Sequence, residues 1–205
     1  MENTNIPNNE IENKGHQLEV SMARFIRTQS ITDSDEEISI ASIIDLNDLK
    51  DLMIPFYQLT GLGIGVFDKN NRLLISEGWQ KICSHFHQKH PESSKSCMES
   101  EIFFKKNFET NKAISYKCKN GLWDMAYPIY LDEEFLGSIY FGQYFLDTDK
   151  IDKSFFIDQA VKFNFNQEAY LEFLKNVPIL NQQKIDSSIQ LFVTILEKVA
   201  NIGKL

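Results

Sequence analysis

The chain has 205 residues, 42% hydrophobic and 12% aromatic with 16 Phe, and a formal net charge of −8 at a pI near 5.0. That is enough for one domain with extensions and a sizeable core. The acidic balance gives no general attraction for phosphate backbones or anionic lipid, which argues against nucleic acid and membrane surfaces as partners. No run approaches the ~18 apolar residues of a membrane span, and MENTNIPNNEIENKGH has no apolar signal-peptide region. Three cysteines are too few for a disulfide scaffold, so the expected setting is cytoplasmic with reduced thiols.

Residues 1–40 are rich in Asn, Glu, Ser, Thr and Asp, with Phe25 the single aromatic. Such a stretch buries too little apolar area to offset its ordering entropy, and it reads as a disordered tail. Asp45 then caps a helix carrying Leu46, Leu49, Leu52, Met53, Phe56, Tyr57 and Leu59 at helical spacing, ended by Thr60-Gly61. GIGVFD and RLLIS flank Lys69-Asn70-Asn71 and read as a hairpin. Residues 78–111 are helical and irregular, holding Trp79, Cys83, His85, His87, His90 and Cys97. Three strands follow, Ala113 to Cys118, Leu122 to Tyr130 and Phe135 to Phe145, joined at Asn120-Gly121 and at Asp132-Glu133-Glu134. Two further helices are expected over Phe155 to Phe165 and Gln167 to Leu174. Val177-Pro178 breaks the chain, and Asn181 can cap a last helix.

Hairpin, helical insert and three-strand meander predict an α+β fold of PAS/GAF-like type: a five-stranded antiparallel sheet with a helical insert and flanking helices, helices on one face enclosing a small-molecule cavity. Three segments are expected: the tail over 1–40, a sensory domain over 41–180, and a signalling or dimer helix over 181–205. On that helix Ile185, Ile189, Phe192, Leu196 and Val199 are spaced 4-3-4-3, a heptad-like stripe two heptads long. It can pack on its own domain or pair with a second copy. Because Leu191, Val193, Ile195 and Ile202 lie beside or behind the stripe, the helix needs cover on more than one side, and a homodimer is expected.

Cys83, His87 and His90 at i, i+4 and i+7 would share a helical face, with His85 pointing away, and Cys97 and Cys118 could complete a thiolate and imidazole site. The spacing is that of no zinc ribbon or finger, and no C-x-x-C occurs, so buried cysteines lining a pocket are the preferred reading. GLGIG at Gly61 to Gly65 lacks the lysine and the context of a phosphate loop. No catalytic residue, metal or cofactor is assigned, and the domain is expected to be non-catalytic. Alternation along Phe135 to Phe145 places Gln143 in the row of Phe135, Gly137, Ile139, Phe141 and Phe145. A buried amide there needs a partner, either a ligand hydroxyl or a backbone group. Trp123, Met125 and Tyr127 form the apolar face of the preceding strand, with Asp124 opposite or reaching Lys119 or a backbone amide.

KCKNGLWDMAYPI at Lys117 to Ile129, Gly142-Gln143, and the upstream Cys83 and Cys97 resemble the PocR family of bacterial sensory domains from roughly Ile44 to Asn201. The resemblance places Asp124 at the acid of a G-L-x-D pattern. Ser94 stands where a second cysteine is common and Lys119 where a histidine is frequent, and each departure removes a candidate metal ligand. Strand alternation contributes Trp123, Tyr127 and Gln143 to the expected ligand site, Trp79 can close it from above or pack into the core, and the resemblance adds Cys83, Cys97, Cys118 and Asp124 and implies a simple hydrocarbon derivative such as an alcohol or diol. It further implies the sensory part of a longer signal-transduction protein, a sensor histidine kinase or a transcription regulator. The rival readings are a Cys/His metal- or redox-sensing module, and an interaction domain whose cavity its own side chains fill.

Overall fold

A computed structural model describes residues 17–19, 39–110, 112–131 and 133–202. The tail expected over 1–40 lies almost wholly outside these residues. Residues 17–19, within it, form a short strand, β1 (Gln17–Glu19). After a single turn, α1 (Ile40–Ile43), comes α2 (Leu46–Thr60). The Asp45 carboxylate accepts the amide of Asn47 at 2.7 Å and satisfies part of the helix start. Gly61 ends α2 at φ 76°, a left-handed conformation suited to glycine.

The hairpin is β2 (Gly63–Asp68) and β3 (Leu73–Glu77). Asp68 closes its turn, accepting the amides of Asn70 and Arg72 at 2.9 and 2.8 Å. The insert holds a turn of π-helix at Cys83–His87, where the Gln88 amide reaches back five residues to the Cys83 carbonyl, and then α3 (Ser93–Asn107). The meander is β4 (Lys112–Lys117), β5 (Trp123–Leu131) and β6 (Glu134–Leu146), followed by α4 (Lys153–Lys162), α5 (Gln167–Lys175), β7 (Ile179–Leu180) and α6 (Gln182–Ile202).

Six strands form an antiparallel sheet in the order β1-β4-β5-β6-β2-β3, and β7 adds a short parallel pairing to β6. The last strand of the meander thus lies against the first strand of the hairpin, the arrangement expected of a PAS-like sheet. The five expected strands are its continuous part, and β1 extends the β4 edge.

Helices cover both faces of the sheet, not one. On the first face α1, α2 and α6 pack on Ile64, Val66, Met125, Tyr127, Ile139, Phe141 and Tyr144. On the second, Ile82, Cys83, α3, α4 and α5 pack on Ile114, Tyr116, Ala126, Tyr140 and Phe145. β6 is buried continuously from Leu136 to Phe145. A strand apolar on both sides requires cover on both.

The stripe of α6 expected to form a dimer seam is core at four of its five positions, the Val199 side chain lying outside those described. Ile185, Ile189, Phe192 and Leu196 are buried against the sheet and α2, with the Phe192 ring 5.0 Å from Phe56 and 5.5 Å from Phe141. The heptad-like spacing is satisfied within the chain because the first face of the sheet offers the same apolar cover a second helix would. The outward side of α6 carries Leu191, 52% exposed.

Candidate functional site

The second face of the sheet does not close completely. Between it and the insert lies a cavity of about 400 Å³ lined by Trp79, Cys83, Cys97, Cys118, Asp124 and Gln143. Phe67, Phe104, Tyr140, His87 and Glu101 complete most of its wall.

A β-bulge places Gln143 there. The β5–β6 register runs Trp123↔Tyr144 and then Asp124↔Gly142, leaving Gln143 as the extra residue. Up to Phe141 the strand alternates regularly, with Ile139 and Phe141 on the first face and Tyr140 on the second. Past the bulge the phase reverses: Tyr144 faces the first side, and Gln143 and Phe145 the second. The row joining Gln143 to Ile139 and Phe141 is therefore corrected, because strict alternation has no place for a bulge. The Gln143 side-chain oxygen accepts the Gln80 amide at 2.9 Å, which fixes the start of the insert.

Trp79 lies over the sheet where β2 carries no side chain. A Cβ at Gly65 would meet its indole at 2.6 Å, so glycine makes room for the ring. Phe67 adjoins Trp79 at 6.2 Å, and Tyr140 stands edge-on to Phe67 and Phe104 at 4.9 and 5.3 Å. Two polar groups in this aromatic wall lack partners among the described residues. The Tyr140 hydroxyl is buried without a hydrogen bond; Ser138 lies beside it, outside bonding geometry. Asp124 has neither a paired cation nor a hydrogen-bond donor, since Lys119 pairs instead with Glu99 at 2.6 Å.

Loss of solvation governs the chemistry here. It pushes the Asp124 carboxyl up to about 7 and the Cys118 and Cys97 thiols up to about 12 and 11, and it holds the Cys83 thiol well above its ordinary value. The same cause lowers His87 to about 4, so this imidazole is neutral. Protonated thiols beside a neutral imidazole are poor nucleophiles.

The cavity wall is tied to α4 and α5 by one hydrogen-bonded chain. Tyr170 donates to the Gln159 side-chain oxygen at 2.5 Å, so the 2.7 Å contact between Tyr170 and His87 must run from His87 Nε2–H to the phenol. His87 Nδ1 is then the acceptor, 3.6 Å from the Cys83 sulfur. Gln159 Nε2 donates to Asn120 Oδ1 at 3.0 Å, and Asn120 Nδ2 donates to the Ser93 carbonyl at 3.1 Å and to Cys97 Sγ at 3.5 Å. The chain leaves the cavity at Cys83 and returns to it at Cys97.

Six of the eight expected site residues thus meet in one cavity. Trp123 and Tyr127 do not. Tyr127 is in the first-face core, and Trp123 packs beside it while donating its indole N–H to Asp149 at 2.9 Å. Strand alternation puts both on the side opposite Asp124. His90 leaves the face it was expected to share and packs against Phe163 at 5.0 Å. Among the described residues no three His, Cys, Asp or Glu side chains are arranged to hold a metal ion. Tyr140, Glu101, Gln159 and Tyr170 were not anticipated; a polar tip on an otherwise apolar face was the available signal for Tyr140. Cys118 also lines a second cleft of about 500 Å³ with Lys117, Asp149, Phe145, Phe155 and Phe156.

The chain is thus a mixed α+β domain with a cavity between sheet and insert. The family model described as "Sensory domain found in PocR" matches residues 42–204, and the chain belongs to that family. No curated protein and no solved structure matches it. Among the described residues no helix is long and apolar enough to cross a membrane.

Proposed function

We propose that the cavity is the sensory site and receives a small, partly apolar molecule bearing hydroxyl groups, of the alcohol or diol class, in a cytoplasmic signalling protein. One observation carries this reading: an orphaned phenol and an unpaired carboxyl, Tyr140 and Asp124, open into the same aromatic-lined space. The buried Tyr140 hydroxyl without a partner costs about 1–3 kcal/mol, and a ligand hydroxyl that accepts from Tyr140 while donating to Asp124 removes that cost. Protonated thiols and a neutral, committed His87 favour a binding role over a catalytic one.

Two routes lead outward. The chain from Cys83 through His87, Tyr170 and Gln159 reaches α4 and α5. β6 carries Tyr140 and Gln143 on the cavity side and Phe141, against Phe192 of α6, on the other. Ligand binding biases the insert between two arrangements, and α6 passes the change through its outward side to a second copy or a following output domain. A thermal-shift series of short alcohols, diols and carboxylates tests the reading. Alcohols or diols should raise the melting temperature of the wild type and do so less for Tyr140→Phe; a series without any shift overturns it.

A further inference from the structure

We propose that the molecule received here is positively charged: a short amino alcohol, whose ammonium meets Asp124 against the aromatic wall and whose hydroxyl meets Tyr140. This rests on the sensory reading above and narrows its ligand. The first ground is charge. Among the described residues lining the cavity, Asp124 and Glu101 are acids and none is Lys or Arg. The titratable groups that act on Asp124 or share its cavity are Cys83 and His87 from the π-helical turn, Cys97 and Glu101 from α3, Cys118 after β4, and Tyr140 and Tyr144 from β6. His87 is the one base among them, and both of its nitrogens are occupied, by Cys83 and Tyr170. Glu101 is held by Asn71 at 2.5 Å, which leaves Asp124 as the carboxyl with no partner.

The second ground is the wall itself. Phe67, Trp79, Phe104 and Tyr140 surround the carboxyl's compartment, and aromatic faces attract cations most strongly where water is excluded. An ammonium therefore gains from the acid and the rings together. A carboxylate ligand would be repelled by both acids, and a neutral diol leaves the charge of an ionised Asp124 uncompensated.

The third ground fixes the other end of the molecule. An ammonium has donors only, whereas the Tyr140 O–H needs an acceptor. With Gln143 Oε1 committed to the Gln80 amide, its Nε2 is a further donor in the same wall. Both donors call for an oxygen on the ligand, and a hydroxyl supplies one without adding negative charge.

The test is calorimetric titration of the purified chain at about pH 8, where Asp124 is ionised, with 2-aminoethanol, ethylamine, ethane-1,2-diol and glycolate. We expect 2-aminoethanol to bind about tenfold or more tightly than the diol. Asp124→Asn should bring the affinity of 2-aminoethanol down to that of the diol, and Tyr140→Phe should reduce 2-aminoethanol to the level of ethylamine. In the wild type, amine affinity should weaken as pH falls below about 7 as Asp124 takes up its proton, so the proposal remains testable if Asp124→Asn fails to fold. Diol binding that equals the amine's, amine binding indifferent to Asp124→Asn, or preferred binding of glycolate overturns the proposal and leaves the sensory reading standing. If none of the four binds, this proposal falls, and the thermal-shift series decides the sensory reading separately.

Discussion

Asp124 is held where its charge is least welcome, and that makes folding pH-dependent. In the unfolded chain the carboxyl ionises near 3.8, and in the fold near 7. Between those values folding takes up a proton, so this group's contribution falls as pH rises and levels off above about 7. His87, lowered from 6.5 to about 4, acts in the opposite sense: folding releases its proton, and its contribution rises with pH between those limits. The wild-type curve mixes the two, whereas its difference from Asp124→Asn isolates the carboxyl. Urea unfolding from about pH 4 to 8 should show the variant gaining steadily on the wild type, by on the order of 2 kcal/mol at the upper end once cavity water is allowed for. A constant difference across that range would mean that Asp124 is not desolvated. Gly65 is the complementary residue, since its missing side chain seats Trp79. Gly65→Ala should cost roughly 1–3 kcal/mol and change the emission of Trp79, read in a Trp123→Phe background.

At the scale of elements, the insert is joined to α4 and α5 by polar contacts as well as by packing. Asn120, 1% exposed, bonds to Ser93 and Cys97 of α3 and to Gln159 of α4. Asn120→Ala should cost about 2 kcal/mol by stranding the Gln159 amide and the Ser93 carbonyl. Because the two side chains share one bond, a double-mutant cycle with Gln159→Ala should show a coupling of about 1 kcal/mol; additive effects would argue against the chain. The sequence identifies Asn120 as a turn residue, since Asn-Gly is a turn signal, but its partner Gln159 is 39 residues away and no local pattern announces it. The same distinction separates what could be read from what could not. The caps at Asp45 and Gly61, the hairpin and the meander follow local periodicity and turn chemistry, and their expected positions agree closely with the structure. The phase of β6 beyond Phe141 depends on a bulge that strict alternation does not contain, so periodicity alone puts Gln143 on the wrong face and does not single out Tyr140. Cys83, Cys97 and Cys118 were grouped through the family resemblance, not through spacing.

The molecule as a whole has two compartments back to back on one sheet: a dry core under α2 and α6, and a polar, incompletely filled one under the insert, α4 and α5. The dry side should bear most of the stability. Phe192→Ala is expected to cost roughly 3–5 kcal/mol by chemical denaturation, and Phe192→Glu should unfold the protein instead of yielding folded monomers. Leu191→Glu, on the outward side of the same helix, should change stability by no more than about 0.5 kcal/mol. Sedimentation of Leu191→Glu beside the wild type would then report on self-association without disturbing the core. The polar side has its own boundary in Cys118, which lines both the cavity under the insert and the cleft beside Phe155 and Phe156. On the proposed reading, this one thiol would set the length of ligand the cavity accepts. Trimming it to Ala or Gly would join the two spaces and admit longer chains, while Leu or Phe would shorten the reach of the site, so that ligand range can drift by single substitutions at a position that leaves Asp124 and Tyr140 in place.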